Sequence, residues 1–392
     1  MGWGLQRGPA PESANIHPMR SAGPEVAVVG AGVVGLACAA ELARAGRSVV
    51  VLERHDRPGT ETSSRNSQVI HAGLYYAPGS LKAVACIEGR ELLYERCARL
   101  GIGHRRLGKI VVATTEAEIA ALETIRDGAV ASGAGALDWL DERQLKRLEP
   151  RVRAVAGILS PRSGIIDAHA LMDSYQAELE AHGGSVVLRT AVAGLAWTGE
   201  RWRVDTIGPD GETYALDVPY VVNSAGLEAD RVAALAGLDV DALGWRVKLC
   251  KGDYFSPVSS LGALVSRLVY PVPSGGGLGA HVTLDLGGRF RFGPDAEYVD
   301  RVSYEVDPAK TERFAAAVQR YLPDVRAEHL VPEMSGIRPK LQGPGEPFRD
   351  FVVAETSAHG APAMVHLVGI ESPGLTASGA LARRAVELLG RS

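Results

Sequence analysis

Cysteine is scarce in this chain, which has 392 residues and four cysteines. They stand at irregular spacing without a CxxC pair, at Cys38, Cys86, Cys97 and Cys250. This pattern excludes the disulfide framework of a secreted domain and gives no ligand set for a structural zinc ion. Unpaired cysteines are typical of a reducing compartment. We therefore expect a cytoplasmic protein, with peripheral contact with a membrane left open.

Two further absences narrow the class of protein. The formal charge is −4 and there is no basic run, so nucleic acid is not an expected partner. The longest uncharged apolar stretch, residues 26–40, is too short to span a bilayer, and no transmembrane segment is predicted. Residues 1–24 are rich in Gly, Pro, Ala and Ser and lack the apolar core of a secretory signal. We expect a flexible leader there, and a transit peptide is the alternative.

The most informative stretch is residues 26–35, VAVVGAGVVG, which a helical pattern follows. A buried strand, a glycine turn and a helix bring a diphosphate to the helix N-terminus, where free N–H groups and the helix dipole favour negative charge. In that arrangement Gly30 allows the turn, Gly32 leaves room for the pyrophosphate, and Gly35 lets helix and strand pack closely. Glu53 ends a second predicted strand and is suited to bind a ribose. The sequence therefore predicts a dinucleotide site; the alternative is a βα unit with incidental glycines.

The rest of the chain predicts an α/β fold that an antiparallel sheet interrupts. A buried strand at residues 220–226 and a last strand at 366–370, each followed by a helix, resume the initial pattern. Between them, residues 240–304 alternate between strand patterns and Gly- or Pro-rich turns such as 274–277, which is typical of antiparallel sheet. Residues 192–218 predict a three-stranded meander.

Seven motifs carry a resemblance to a known family. They are VAVVGAGVVGL from residue 26, TSSRNSQVIHAGLYYAPGSLKA at 62–83, KGDYF at 251–255, YPVP at 270–273, GLGAHVTLDLGGRFRFGPD at 277–295, GIRPK at 336–340 and GIESPGLTAS at 369–378. The chain resembles the FAD-dependent D-amino-acid-oxidase-like superfamily, and within it the L-2-hydroxyglutarate dehydrogenases and oxidases. The first motif is shared by many flavin and nicotinamide enzymes, whereas NSQVIHAGLYY and ESPGLTAS are more specific. The resemblance extends from residue 25 onward.

The resemblance implies FAD as the cofactor and a Rossmann-like FAD-binding domain assembled from separated segments, residues 25–90, 155–235 and 335–392. Residues 91–154 and 236–334 would form an antiparallel-sheet α+β substrate domain that covers the flavin. The start of a second helix would direct its positive end toward the flavin ring. The cofactor-binding residues that the resemblance implies are Gly30, Gly32, Gly35, Glu53, Arg54, Ser64, Asn66, Val192, Ala225, Gly226, Ser372, Gly374, Leu375 and Thr376.

Oxidation of a 2-hydroxy acid by FAD requires a base, a carboxylate clamp and a hydride acceptor held close to the α-carbon. We expect His71 to be the base, because imidazole titrates near neutral pH and the residue lies in the motif that faces the flavin in the resembled family. Arg338 is the expected clamp, since a guanidinium binds a carboxylate through two parallel hydrogen bonds. Tyr254, Lys251 and His281 would come from the inserted sheet, with Lys251 and His281 binding a second carboxylate. No metal site is predicted, because ligand spacing is missing.

The expected reaction is the FAD-dependent oxidation of L-2-hydroxyglutarate to 2-oxoglutarate by hydride transfer to flavin N5. The electron acceptor would be oxygen, a quinone or another carrier. Three alternatives stay open from the sequence. The first is an amine oxidase of the same superfamily that acts on glycine-like or sarcosine-like substrates, and the second is a flavin-binding module without turnover. The third is an NAD-only dehydrogenase, which the second glycine loop at residues 371–376 disfavours.

Overall fold

The computed structural model describes residues 23–258, 261–273 and 280–390. The expected leader, apart from residues 23 and 24, lies outside these ranges, as does the turn predicted at 274–277. In the ranges described, none of the helices combines the length and the apolar character that crossing a bilayer requires.

Two of the longer described helices begin at a side chain that accepts hydrogen bonds from their first N–H groups. The Ser80 side chain accepts from Ala83 ahead of the second helix, and Asp167 accepts from His169 and Ala170 ahead of the fifth. Within the described residues the α-helices are α1 (Val33–Arg44), α2 (Leu81–Leu100), α3 (Ile119–Ala131), α4 (Glu142–Leu148), α5 (Ala168–Ala181), α6 (Ala229–Leu235), α7 (Thr311–Gln319) and α8 (Gly374–Leu389).

The strands of the described residues form two large and two small sheets. They are β1 (Val26–Val29), β2 (Val49–Leu52), β3 (Val69–Ile70), β4 (His104–Arg105), β5 (Lys109–Ala113), β6 (Asp138–Asp141), β7 (Ala156–Ser160), β8 (Gly164–Ile166), β9 (Ser185–Val187), β10 (Ala191–Trp197), β11 (Trp202–Ile207), β12 (Thr213–Val218), β13 (Tyr220–Asn223), β14 (Lys248–Pro257), β15 (Leu268–Pro271), β16 (Val282–Leu284), β17 (Phe290–Phe292), β18 (Glu297–Tyr298), β19 (Leu330–Lys340), β20 (Val352–Thr356) and β21 (Ala361–Val368).

The first large sheet has the strand order β20, β21, β13, β1, β2, β9. Its strands are parallel except for the edge strand β20, which runs antiparallel to β21. Parallel strands are covered on both faces, so they need consecutive apolar residues, and β1 supplies four buried ones. Because β1 and β2 run side by side, the glycine turn and Glu53 emerge at the same edge of the sheet.

Helices cover one face of this sheet, and a meander with a helix covers the other. Val26 and Val28 belong to the core beneath α1, α2, α5 and α8. Ala27 and Val29 belong to the core beneath α6 and the strands β10, β11 and β12. Alternate side chains of β1 therefore pack on opposite faces of the sheet, which lies as the middle layer between the helices and the meander.

The second large sheet joins nine strands in the order β18, β14, β17, β16, β15, β5, β7, β6, with β19 paired to β14. Its pairs are antiparallel except for β15 with β5. Ile110 and Val112 of β5 belong to the core beneath α7, whereas Val111 and Ala113 belong to the core beneath α3. The larger sheet is thus also covered on both faces.

The meander predicted at residues 192–218 is confirmed as β10 to β12, which form an antiparallel sheet. Two expected domain boundaries differ from the pairing of the strands. Residue 155 stands directly before β7, and residue 335 lies inside β19, yet both strands pair in the larger sheet. Local periodicity identifies a strand but not the sheet that it joins, because pairing is decided by distant residues. The division into domains itself stays a prediction.

Candidate active site

A cavity of about 930 Å³ is lined by residues from both large sheets. It reaches from Gly30 and Gly32 at the end of β1 to Tyr254, Tyr270 and His281 in the larger sheet. This volume is near the upper end of the roughly 300–1,000 Å³ that small-molecule sites occupy. The cavity therefore has room for a long ligand that touches both sheets.

The glycine turn at the start of the cavity leaves no space for side chains. Gly30 has a positive φ of 98°, and a Cβ on Gly35 would lie 2.0 Å from the carbonyl oxygen of Gly30. Gly32 caps α1, and a Cβ there would lie 3.1 Å from the Ser63 hydroxyl. The turn therefore presents bare backbone and the N-terminus of α1 to the cavity, as a pyrophosphate requires.

Glu53 lies beside this turn, as predicted. Its buried carboxylate accepts hydrogen bonds from the Ala31 N–H at 2.7 Å and the His55 N–H at 2.9 Å, and it lines the cavity. Arg54 also lines the cavity and pairs with Glu61 and Glu228. The carboxylate both stabilises the turn and remains available to a ribose hydroxyl.

Two residues of the polar loop after β2 were predicted to bind the cofactor, and only one of them lines the cavity. Asn66 lines the cavity, and its side-chain amide donates to the carbonyls of Thr62 and Ser63. Ser64 does not line the cavity, because its hydroxyl faces the carbonyls of Thr60 and Glu61 within the loop. The prediction for Ser64 is therefore not supported.

Ser63 lies where Ser64 was expected. Its hydroxyl accepts from the Val33 N–H at 2.9 Å, at the start of α1, and the residue lines the cavity. Only the register of the turn distinguishes the two neighbouring serines, and the sequence contained no signal for that register.

Among the predicted cofactor residues further along the chain, some line the cavity and one does not. Most of them line the cavity, namely Val192, Ala225, Gly226, Ser372, Gly374 and Leu375. Thr376 is fully buried instead: its hydroxyl accepts from the His71 N–H at 3.0 Å and lies 3.3 Å from the Val69 carbonyl. Thr376 therefore positions the backbone of His71 and does not face the cavity.

His71 lies at the cavity wall next to the start of α8. Its Nε2 is 3.3 Å from the Ser372 hydroxyl, and its carbonyl accepts the Cys86 thiol. Desolvation, with the positive charges of Lys109 and His281 nearby, lowers the pKa of His71 well below its ordinary value. The imidazole is therefore neutral near pH 7 and has a lone pair that can accept a proton.

Arg338 lines the cavity from β19, but part of its guanidinium is already bound. Nε donates to the Cys250 carbonyl at 3.3 Å, and Nη2 donates to the carbonyls of Lys251 and Asp295. Nη1 forms no hydrogen bond with the residues that the structure describes. Nη1 is therefore the part of the guanidinium that is left for a carboxylate, and the role of Arg338 as a clamp stays a prediction.

Tyr254 and His281 line the cavity, as expected. The Tyr254 hydroxyl is 3.0 Å from that of Ser67, and burial raises the pKa of Tyr254. The His281 ring stacks on Tyr270 with 3.6 Å between the ring centres. Both side chains thus provide polar groups at the end of the cavity that the larger sheet forms.

The expectation for Lys251 is wrong. Gly252 and Tyr254 of β14 line the cavity, and side chains alternate along a strand, so Lys251 and Asp253 lie on the opposite face. The Lys251 ammonium donates to the Glu305 carbonyl and lies 3.5 Å from Asp253. It cannot bind a second carboxylate in this cavity.

A buried ion triad at the cavity wall was not predicted. Glu371 accepts from Lys82 at 2.9 Å and from Lys340 at 2.8 Å, and all three residues line the cavity beside the start of α8. Burial alone would raise the pKa of Glu371, but the two ammonium groups lower it. The triad carries one net positive charge, and no local motif joins its three separate segments.

One carboxylate cluster has a spacing that could suit a metal ion. Oxygen atoms of Asp253, Asp295 and Glu297 lie within 4.8 Å of one another. The Lys310 ammonium pairs with all three, at 3.1 Å from Asp295 and 2.6 Å from Glu297. A lysine therefore already provides the positive charge that this cluster requires.

The cavity fits FAD at several points. A dinucleotide bound between two helix N-termini needs close packing at the first helix, a group for its ribose and a second helix start. These are provided by Gly35, by the Glu53 carboxylate and by the start of α8 at Gly374. A neutral histidine and an arginine lie at the end formed by the larger sheet. The fold and the site together define a dinucleotide-dependent redox enzyme.

The comparisons identify the family. The family model for FAD dependent oxidoreductases (DAO) matches residues 25–388, and the chain belongs to this family. The mitochondrial L-2-hydroxyglutarate dehydrogenase of Arabidopsis thaliana is 38% identical to it, with 91% of this chain and 82% of the relative covered. The corresponding protein of Mus musculus is 28% identical, with 92% and 87% covered.

A solved structure agrees with this assignment. The L-alpha-glycerophosphate oxidase of Mycoplasma pneumoniae, with FAD bound, superimposes with a TM-score of 0.85 at 27% identity and covers 94% of each chain. The predicted family, the α/β fold class, the oxidoreductase activity and FAD as the cofactor are thereby confirmed.

The predicted cytoplasmic location is wrong. The relatives from Arabidopsis thaliana and Mus musculus are named mitochondrial enzymes, which contradicts that expectation. The prediction depended on free cysteines, and these indicate a reducing environment without identifying the compartment that provides it.

Proposed function

We propose that this protein oxidises L-2-hydroxyglutarate to 2-oxoglutarate. The observation that carries the proposal is the 38% identity to the L-2-hydroxyglutarate dehydrogenase of Arabidopsis thaliana over 91% of the chain. A match of that extent includes strands of both large sheets. It therefore supports a shared substrate as well as a shared cofactor.

His71 is the base in this proposal. Bound FAD would supply the acceptor for the hydride that leaves the α-carbon. His71 accepts the hydroxyl proton at Nε2, which is available because the imidazole is neutral near pH 7. The Ser372 hydroxyl, 3.3 Å from Nε2, orients the ring before the substrate binds.

Arg338 holds the carboxylate next to the reacting carbon. Its Nη1 donates to that carboxylate, while the carbonyls bound to Nε and Nη2 keep the guanidinium in place. Tyr254 and His281 contact the remainder of the substrate from β14 and from the turn before β16. This arrangement orients the α-carbon and needs no large movement of side chains.

The electron acceptor and the domain division belong to the same proposal. Oxygen, a quinone or another carrier reoxidises the cofactor. The segments that bind FAD form one domain, and the larger sheet, with β7 and β19 included, forms the substrate domain.

The test is a screen for anaerobic bleaching of the flavin in the FAD-loaded protein. L-2-Hydroxyglutarate is compared with its D-enantiomer, L-lactate, glycine and sarcosine. Fast bleaching by L-2-hydroxyglutarate alone supports the proposal. Bleaching by glycine or sarcosine but by no hydroxy acid would instead identify an amine oxidase, and an unreduced flavin with every compound would indicate a flavin-binding module.

A further inference from the structure

Tyr270 contacts two basic side chains at the end of the cavity formed by the larger sheet. The His281 ring stacks on it with 3.6 Å between centres and 11° between planes. The Lys109 ammonium lies 4.0 Å from the centre of the same ring. Lys109 comes from β5 and Tyr270 from β15, which are paired strands, and His281 directly precedes β16. The three side chains therefore form one row across neighbouring strands.

The Lys109 ammonium is buried against aromatic rings. The residue is 1% exposed, and the contacts that the described residues give its ammonium are with the aromatic rings of Tyr270 and Tyr75. The Tyr75 ring centre is 6.0 Å from this ammonium, and the buried Tyr75 hydroxyl has no partner among the described residues. A buried charge or hydroxyl without a partner is costly. The Tyr75 hydroxyl, which lines the cavity without a partner among the described residues, and the Lys109 charge near it favour a ligand group that is negative and accepts hydrogen bonds, such as a carboxylate.

We propose that Lys109, acting through Tyr270 and His281, makes this end of the cavity a site for a second carboxylate, so that the enzyme selects dicarboxylic over monocarboxylic acids. This inference rests on the proposed function and names the residue that recognises the far end of its substrate. Tyr270, His281 and Tyr75 line the cavity, whereas Lys109 does not line it and contacts the ring of Tyr270. Lys109 is therefore a positioning residue, and it has the role that the sequence analysis expected of Lys251.

The groups around Lys109 make its charge sensitive to pH near neutrality. Burial lowers the pKa of Lys109 to about 7, although the nearby Cys86 opposes the shift. Burial raises the pKa values of the facing groups Cys86, Tyr75 and Tyr270, so they remain uncharged there, and His71 is neutral. His281 is the other basic group that contacts the Tyr270 ring. As the pH rises through about 7, Lys109 loses its proton, and the affinity for a dicarboxylate decreases.

The experiment measures the binding of glutarate and butyrate to the FAD-loaded protein by calorimetry, which requires no turnover. Lys109→Met removes the charge at nearly constant volume, and Lys248→Met, at an exposed position of β14, is the control. We expect the Kd of glutarate to rise about tenfold in Lys109→Met, while that of butyrate changes less than about twofold. In the unmodified protein the Kd of glutarate should rise between about pH 6 and pH 9, and this dependence should be smaller in Lys109→Met.

An unchanged preference for glutarate over butyrate in Lys109→Met, with normal flavin content, would overturn the inference. If that variant does not retain FAD, the pH titration of the unmodified protein decides, and a glutarate Kd that is constant across the pH range overturns the inference. The proposed function is tested separately. A protein that binds glutarate through Lys109 but is not reduced by L-2-hydroxyglutarate would retain this inference and refute the proposed reaction.

Discussion

The two ends of the cavity are built in different ways. At the cofactor end, Gly30, Gly35 and Glu53 follow one another along β1, α1 and β2, and the binding surface is mostly backbone. At the substrate end, His71 and Arg338 come from distant segments and act through side-chain atoms. A change in the backbone displaces all the groups of a backbone surface together, whereas each side chain can be removed by a single substitution. Substitutions at the first end should therefore abolish cofactor binding, and those at the second should change single steps.

The largest effect is expected from Gly35→Ala. The added Cβ would lie 2.0 Å from the Gly30 carbonyl oxygen, which belongs to the backbone and cannot move aside. We expect the purified protein to lack flavin and to be destabilised by at least about 1–3 kcal/mol, as measured by flavin absorbance and thermal unfolding. Gly128→Ala in α3 is the control, because its Cβ would meet no atom within 4 Å. Full flavin content in Gly35→Ala would contradict the backbone account of this end.

The next largest effect is expected from His71→Ala. Loss of the base should slow anaerobic flavin reduction by L-2-hydroxyglutarate about 100-fold or more, while the flavin content stays unchanged. Stopped-flow absorbance measures the rate. His169→Ala, at an exposed position of α5, should reduce at the normal rate. An unchanged rate in His71→Ala would remove this residue from the proposed chemistry.

Arg338 and Lys251 provide a sharper comparison within the larger sheet. Arg338→Lys should raise the KM for L-2-hydroxyglutarate about tenfold, because an ammonium cannot keep the backbone contacts and also reach the carboxylate. Lys251→Met should change that KM less than about twofold, since its side chain lies on the opposite face of β14. Steady-state kinetics measures both values. A large KM change in Lys251→Met would show that the strand faces are assigned incorrectly.

The smallest effect at neutral pH is expected from the titration of His71. In the proposed reaction its neutral form is the active one and its pKa is lowered, so kcat/KM should not decrease as the pH falls through about 6.5 and should decrease only at lower pH. Lys109→Met removes one of the charges that lower this pKa and should move the acidic limb to higher pH. A wild-type limb at or above pH 6.5 would contradict the assignment.

The same contrast explains how much could be predicted from the sequence. The cofactor end was predictable because Gly30, Gly32, Gly35 and Glu53 form a local pattern whose geometry follows from their spacing. At the other end only motifs of the resembled family led to His71 and Arg338, which line the cavity and whose roles stay proposals. Lys251 was wrong because the faces of β14 depend on its register with β19. Lys109 was missed because KIVVA is typical of an ordinary buried strand, and its contact with Tyr270 exists only through the pairing of β5 with β15.

Thr376 has a consequence for the synthesis of this protein. Its hydroxyl contacts Val69 and His71, and β21 completes the sheet that β1 begins, so the cofactor domain requires residues that the ribosome adds long after the first strand. The larger sheet receives its last strand, β19, before β20 and β21 are made. The growing chain therefore exposes the apolar faces of β1 and α1 until α8 is released. A chain that ends before α8 therefore lacks one of the helices that cover this core.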